Sequence, residues 1–376
     1  MRVVIAGVLA VVVVVAVGVG GAAWYYSSRI YTQALNVDHA PPASNLRVVA
    51  VGEGTITLAP LGDGSGTGWK KDGVWGVEWD DGYAVAGAIR QQDDASVTRA
   101  FEPRWGTPVE GDLVRLDSFA FPPDAKQALG IDYEVVRHAG PQGDLSAWYV
   151  AGSKDTWIVA VHGMGSKPAE ALRLLSITAP PGYPMLSINY RNDEGLPASA
   201  SGRYDYGRSE WEDVEAAVRY AQGRGAQHVV LVGYSMGGGI VMSFMRRSEL
   251  ADSVSGLILD SPMLDFGATI DFASERMGLP GFLTPVAKRA SSLRHGVDYA
   301  DLRYVEDADR LKAPVLLFHG DDDTLVPIGT SEDFATRRPD IVTYVRVPGA
   351  THVRSWNVDQ ARYEAAVREF LGDLTP

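Results

Sequence analysis

A chain of 376 residues that is 46% hydrophobic and 22% charged has room for a large core and two domains, which excludes disorder as its main theme. Its formal net charge of -13, with no basic stripe, argues against a nucleic-acid partner, because phosphate binding needs clustered Lys and Arg. There is no cysteine, so disulfides, thiolate metal sites and cysteine nucleophiles drop out and the redox compartment goes unmarked.

Residues 3–26 carry no charge and are mostly Val, Ala, Leu and Gly. As a helix they reach about 36 Å, enough to cross a hydrocarbon layer of roughly 30 Å. Arg2 flanks one end, and Trp24, Tyr25, Tyr26 and Arg29 form an interfacial girdle at the other, so residues 1–27 read as a single-pass transmembrane anchor. The charge of Arg2 plus the α-amine against Arg29 orients the N-terminus inside and the bulk of the chain outside the cytoplasm. The rival is a cleaved signal sequence and a secreted product: residues 20–23 are small, but such a segment has an apolar core of only about 7 to 15 residues.

Residues 28–45, with Pro41 and Pro42, form a linker. Short alternating runs follow at 46–51, 55–58, 74–79, 83–89 and 113–119, with Asp80-Asp81-Gly82 as a hairpin signal. They predict a small all-β module over residues 46–122, in the form of a barrel. The glycine-rich stretch 62–73 has no G-K-[ST] and no helix behind it, so it reads as a mobile loop rather than a phosphate cradle.

Beyond residue 131 buried strands alternate with helices. Residues 133–137 and 147–151 make an antiparallel opening pair, and short apolar runs at 157–161, 185–189, 229–232, 257–259, 315–318 and 343–347 are separated by helical stretches. That is the pattern of βαβ crossovers and of a parallel sheet covered on both faces, over residues 123–376. Ser209 with Glu212 predicts a capping box ahead of Val214, Ala217, Val218 and Ala221, and a last helix spans 359–371.

The chemistry centres on Gly233-Tyr234-Ser235-Met236-Gly237-Gly238, which lies between a predicted strand and a predicted helix. A strand that breaks into a helix at a serine leaves no room for a side chain two residues before or after, so G-x-S-x-G marks Ser235 as the nucleophile. A serine hydroxyl needs an imidazole to take its proton and a carboxylate to orient that imidazole, here in the order Ser, acid, His. Only His352 follows the last predicted strand. His39 lies in the linker, His138 and His228 flank strands, His295 lies between helices, and His162 and His319 precede glycines as turn-stabilising residues. Asp321, Asp322 and Asp323 are equivalent acids by chemistry, with Asp260 an outside candidate. Nothing completes a cation site around the triplet, so no metal is expected. Backbone N–H groups of Met236 and of Met164, in the loop His162-Gly163-Met164-Gly165, would form the oxyanion hole.

Taken together, HGMG at His162, INYRND at Ile188, GYSMGG at Gly233, LDSP at Leu259, HGDDDTLVP at His319 and THVRSWN at Thr351 resemble the α/β-hydrolase superfamily over roughly residues 130–371. They look most like bacterial membrane-anchored members near its esterase, lysophospholipase-like and prolyl-oligopeptidase-like branches. The resemblance implies a doubly wound, mostly parallel sheet with a short helical cap at about 263–312. It also implies that the acid is the last of the run, Asp323. Phe266, Phe272, Met277, Leu279, Phe282 and Leu283 fit an apolar lid over an acyl pocket. The expected activity is hydrolysis of a carboxylic ester or thioester by a Ser235-Asp323-His352 triad through an acyl-enzyme, without a cofactor, and a lipid-like ester is the substrate that an apolar lid and a membrane tether suggest. The alternatives are a serine peptidase of the prolyl-oligopeptidase-like type, an acyltransferase, or a non-catalytic binding scaffold. A β module of about 75 residues is too short for the propeller of the peptidase branch.

Overall fold

The structure is a computed structural model that describes residues 2–62 and 68–374. Residues 63–67 of the glycine-rich loop lie outside the described residues. The chain opens with helix α1 (Arg2–Ile30), which continues through a π-helical turn, Tyr31–Leu35. Its stretch Ile5–Leu35 has a mean hydropathy of 2.6 over its most apolar window, none of which is buried, so it is long and apolar enough to cross a membrane. The helix does not end at residue 27. It runs on through part of the expected linker because Ile30 and Leu35 are buried in the core of the C-terminal sheet. The docked end is fixed by an antiparallel bridge from Asn36 to Arg203 and by a hydrogen bond from Tyr204 N to Leu35 O (3.0 Å).

Six strands then close a barrel: β1 (Leu46–Gly52), β2 (Thr55–Pro60), β3 (Trp75–Trp79), β4 (Gly82–Gln92), β5 (Val97–Trp105) and β6 (Leu113–Asp117), in the order β1-β2-β5-β4-β3-β6. Alternate residues such as Val48, Ile56, Leu58, Val77, Val97 and Leu116 fill its interior, and pairing of Leu46 with Val114 closes it. The sequence reading misses β5, because Arg99 breaks its apolar alternation. Arg99 is fully buried and donates to the carbonyls of Gly87 (3.1 Å), Trp69 (2.9 Å) and Lys71, so the barrel absorbs a charge that the pattern assigns to a surface.

After a short helix α2 (Ala125–Leu129) comes an eight-stranded sheet of β7 (Glu134–Gly140), β8 (Gly143–Val150), β9 (Thr156–Val161), β10 (Met185–Ile188), β11 (His228–Tyr234), β12 (Val254–Asp260), β13 (Val315–Gly320) and β14 (Val342–Val347). The order is β14-β13-β12-β11-β9-β10-β8-β7, parallel from β10 to β14 and antiparallel at the β7/β8 and β8/β10 pairs. Both faces are buried: Val159 and Val161 of β9 enter one core cluster, Ile158 and Ala160 the other. The helices are α3 (Leu172–Thr178), α4 (Trp211–Gly223), α5 (Met236–Arg247), α6 (Phe266–Arg276), α7 (Leu283–His295), α8 (Gly329–Arg337), α9 (Ser355–Val358) and α10 (Gln360–Asp373).

The capping box expected at the start of α4 does not form. Glu212 bonds the Arg191 guanidinium (2.9 Å), and the Ser209 hydroxyl donates to Asp205 (3.0 Å). The N-cap is Glu210, whose buried carboxylate instead accepts the N–H groups of Asp205 (2.7 Å) and Gly207 (2.9 Å). Charged partners outcompete the reciprocal backbone contacts of a box.

Candidate active site

The loops that follow β9, β11, β12, β13 and β14 leave the sheet at its carboxyl edge, where open α/β sheets gather their ligands. Ser235 sits in the turn from β11 to α5 at φ 52°, ψ -118°, a conformation that a non-glycine residue holds only when its surroundings over-determine it. They do so here: Ser235 N donates to Asp260 O (3.1 Å), and Ser235 O accepts from Gly238 N and Met263 N (2.9 Å each). The flanking glycines are steric requirements. A Cβ on Gly233 would stand 2.6 Å from Gly238 Cα, and one on Gly237 would stand 2.2 Å from Val161 O.

His352 reaches this serine from the loop after β14. Its Nε2 lies 2.7 Å from Ser235 Oγ and its Nδ1 lies 2.7 Å from Asp323 Oδ2. The Asp323 side chain is fully buried in the loop after β13, where Oδ1 accepts the N–H groups of Leu325 (2.8 Å) and Val326 (3.0 Å). Burial opposes its ionisation, but hydrogen bonds and charge from His319 and His352 outweigh that and hold the carboxyl below the usual range. With Asp323 ionised, the proton belongs on His352 Nδ1, and Nε2 accepts from the serine hydroxyl.

The other aspartates of the run have different partners. Asp321 accepts from Gly349 N (2.7 Å) and Asp322 pairs with Lys71. Asp260 is buried at the end of β12, next to the hydroxyls of Ser261 (3.3 Å) and Ser355 (3.2 Å), with no hydrogen bond to His352. Burial pushes its carboxyl up, with Arg173 only partly offsetting. His319, expected merely to stabilise a turn, touches the acid: its Nε2 is 3.1 Å from Asp323 Oδ2 and its Nδ1 is 2.7 Å from Ser331 Oγ. The signal for it was present in the strand-end His-Gly-Asp run, where residues four apart share a tight loop.

Met236 opens α5 and is buried, while Met164 lies in the loop after β9; both line the cavity beside Ser235. The Met164 loop is held against the elbow. A Cβ on Gly163 would stand 3.2 Å from Ser235 Cβ, and Gly163 N donates to Glu170 (2.8 Å). Beneath the loop, His162 stacks on Tyr190 at 4.5 Å between ring centroids and bonds Asp193 through Nε2 (2.9 Å).

A cavity of about 280 Å³ opens over Ser235 and His352. Phe266, Ile270, Met277, Leu279 and Leu283, from α6, α7 and their connection, form one apolar side. Of the six apolar residues expected over the pocket, Phe272 and Phe282 do not line it. Phe282 is 62% exposed, and the Phe272 ring faces the Arg276 guanidinium. Another part of the lining is one that sequence reasoning missed: Tyr26, Arg29, Ile30, Gln33 and Ala34, the docked end of the first helix.

A doubly wound sheet with a strained serine elbow at its carboxyl edge defines the class of fold: the chain has the α/β-hydrolase fold. The family model described as "Serine aminopeptidase, S33" matches residues 152–297. Human Protein ABHD12B is 27% identical over 221 residues, 53% of this chain and 56% of that protein, so the chain spans about half the length of this relative. The uncharacterized protein YqkD of Bacillus subtilis is 23% identical over 239 residues, 61% of this chain and 76% of that one. Among solved structures, an esterase of Pyrococcus furiosus superposes with a TM-score of 0.54 at 20% identity, covering 67% of this chain and 97% of the esterase; at that identity the likeness speaks for the fold.

Proposed function

We propose that this chain hydrolyses a carboxylic ester or thioester through an acyl-enzyme. Ser235 Oγ attacks the carbonyl carbon while His352 Nε2 takes its proton, and Asp323 keeps the imidazole in the tautomer that can do so. The N–H groups of Met236 and Met164 receive the oxyanion. His352 then returns the proton to the leaving alcohol or thiol. In the second half, water attacks the acyl-serine with His352 as base, and the acid is released. The observation that carries this reading is the continuous pair of 2.7 Å contacts from Ser235 through His352 to Asp323. A fluorophosphonate probe tests it: the protein should be labelled, and Ser235→Ala should abolish the label. An unlabelled, correctly folded protein leaves only the binding-scaffold reading.

A peptidase is the second reading, because the matched family model is described as a serine aminopeptidase. An aminopeptidase must recognise a substrate ammonium, which calls for a carboxylate in the pocket. The cavity lining among the described residues contains no Asp or Glu and does contain Arg29, which favours the ester. Comparing acyl esters with aminoacyl amides of matched size separates the two.

The first helix serves as an uncleaved membrane anchor in this proposal, with the catalytic domain outside the cytoplasm and α6 and α7 as a cap. Support comes from its apolar length and from the exposure of Trp24 (63%) and Tyr25 (55%) at its end, as an interfacial belt requires. A lipid-like ester follows from an apolar cavity beside such an anchor. Extraction of the protein by carbonate, or a mature mass short by the first 23 residues, would overturn the anchor.

A further inference from the structure

The end of the first helix is more than a tether, since it supplies a wall of the cavity and one charge. Arg29 is the one Asp, Glu, Lys or Arg lining the cavity among the described residues. It is half-buried, and its guanidinium has no ion pair or hydrogen bond among the described residues. In a protein of net charge -13, other partly buried arginines find carboxylates, Arg246 with Asp307 and Arg247 with Asp301, and Arg29 does not. A cation at the border of an apolar cavity bears a desolvation cost that an anionic ligand would offset.

The segment that carries Arg29 is held in place. The Arg294 guanidinium of α7 lies over the Trp24 ring at 3.5 Å from its centroid and bonds Trp24 O (2.9 Å), Ser28 Oγ (3.0 Å) and Ser27 Oγ. The Tyr31 ring stacks on His295 at 4.8 Å, and Tyr206 donates to Ala34 O (2.7 Å). Arg294 has no carboxylate partner among the described residues either, so the junction between helix and cavity is locally basic. Arg29 lies five residues beyond Trp24, about 7.5 Å along the helix axis, which is headgroup depth when Trp24 and Tyr25 mark the interface.

We propose that Arg29 is a specificity-determining residue: it receives the anionic group of an amphiphile whose apolar chain occupies the cavity over Ser235. This rests on the ester-hydrolase reading and narrows its substrate to an ester carrying one apolar chain and a phosphate- or carboxylate-like group. A volume of about 280 Å³, at the lower end for ligand pockets, fits one chain rather than two.

Binding to the full-length Ser235→Ala protein in nanodiscs of zwitterionic lipid tests this without turnover. The probes are octyl phosphate, octyl glycerol and inorganic phosphate. Octyl phosphate should bind at least tenfold more tightly than octyl glycerol, and inorganic phosphate should not bind at millimolar concentration. Adding Arg29→Gln should bring the ratio of the two amphiphiles to within twofold of one, whereas Arg29→Lys, which keeps the charge, should retain most of it. The proposal is overturned by a ratio near one before Arg29 is altered, by a ratio that survives Arg29→Gln, or by inorganic phosphate binding as well as octyl phosphate. A thermal melt of each variant identifies loss of folding. Failure of the hydrolase reading looks different: the binding preference persists while the wild type neither takes the fluorophosphonate label nor turns over esters.

Discussion

Asn357 of α9 and Val74, just ahead of β3, hold each other where the barrel meets the C-terminal domain. Val74 N donates to Asn357 O (2.9 Å), and Asn357 Nδ2 donates back to Val74 O (2.6 Å) and to Ser118 O (2.8 Å). Asn357 stands five residues beyond His352, so the barrel is fastened to the segment that carries the imidazole. A second tie runs from Lys71 to Asp322, beside Asp323. Asn357→Ala leaves two carbonyls without this donor, at about 1 to 3 kcal/mol for each that stays buried. The expected result is a lower melting temperature and a kcat reduced several-fold with KM little changed, because His352 loses its support while the cavity keeps its lining. Steady-state kinetics with one soluble ester, alongside a thermal melt, checks both.

Ser235, His352 and Asp323 should behave as one unit. Ser235→Ala and His352→Ala should each lower kcat by about 10⁴ to 10⁶, and the double variant should be no worse than Ser235→Ala alone. Asp323→Asn, which favours the wrong imidazole tautomer, should cost about 10⁴. Equal losses on Asp322→Asn would move the acid to a neighbouring position. Single-turnover rates on an activated ester give the comparison.

Asp323 and Asp260 should leave opposite signatures in stability against pH. The Asp323 carboxyl titrates below its unfolded value, despite burial, through the hydrogen bonds of His319 and His352. The unfolded chain therefore takes up that proton first, and the Asp323 contribution is complete above the unfolded value near 4 and lost as pH falls through the folded one. Burial raises Asp260, so its contribution is present below the unfolded value and lost as pH rises through the folded value. Denaturant unfolding at pH 3.5 and 7.5 should show the destabilisation caused by Asp323→Asn growing with pH and that caused by Asp260→Asn shrinking.

Much of this arrangement was legible because backbone sterics write themselves into sequence. Gly233 and Gly237 stand where any Cβ would strike Gly238 or the Val161 carbonyl, so the elbow had to be spelled with glycine. The parallel strands were legible as apolar runs because both faces are buried. What pattern could not give were contacts made by residues acting against type. Arg99 sits inside the barrel and hides β5, Arg191 takes the Glu212 carboxylate away from a helix cap, and His319 touches the acid. The first helix is apolar on every side only up to Tyr26, and the polar residues that follow, Ser27, Ser28 and Arg29, read as the start of a linker rather than as part of a segment bordering the cavity. Only the docking of Ile30 and Leu35 into the sheet's core reveals otherwise.

The cavity should set acyl-chain preference. Each methylene transferred from water to the apolar wall of Phe266, Ile270, Met277 and Leu283 contributes about 0.8 kcal/mol, or about fourfold in kcat/KM while the chain still finds room. Longer acyl esters should therefore outpace short ones up to the length the cavity holds, and then the gain should stop. Ala273 lines the cavity with a single methyl group, so Ala273→Phe fills space that the chain would use. That variant should move the optimum to a shorter acyl chain while acetyl ester turnover changes much less, since a two-carbon acyl group need not reach α6. A chain-length series of p-nitrophenyl esters on both proteins measures the shift. A profile flat in the wild type, or displaced by the same factor at every length in Ala273→Phe, would mean that the acyl chain lies elsewhere.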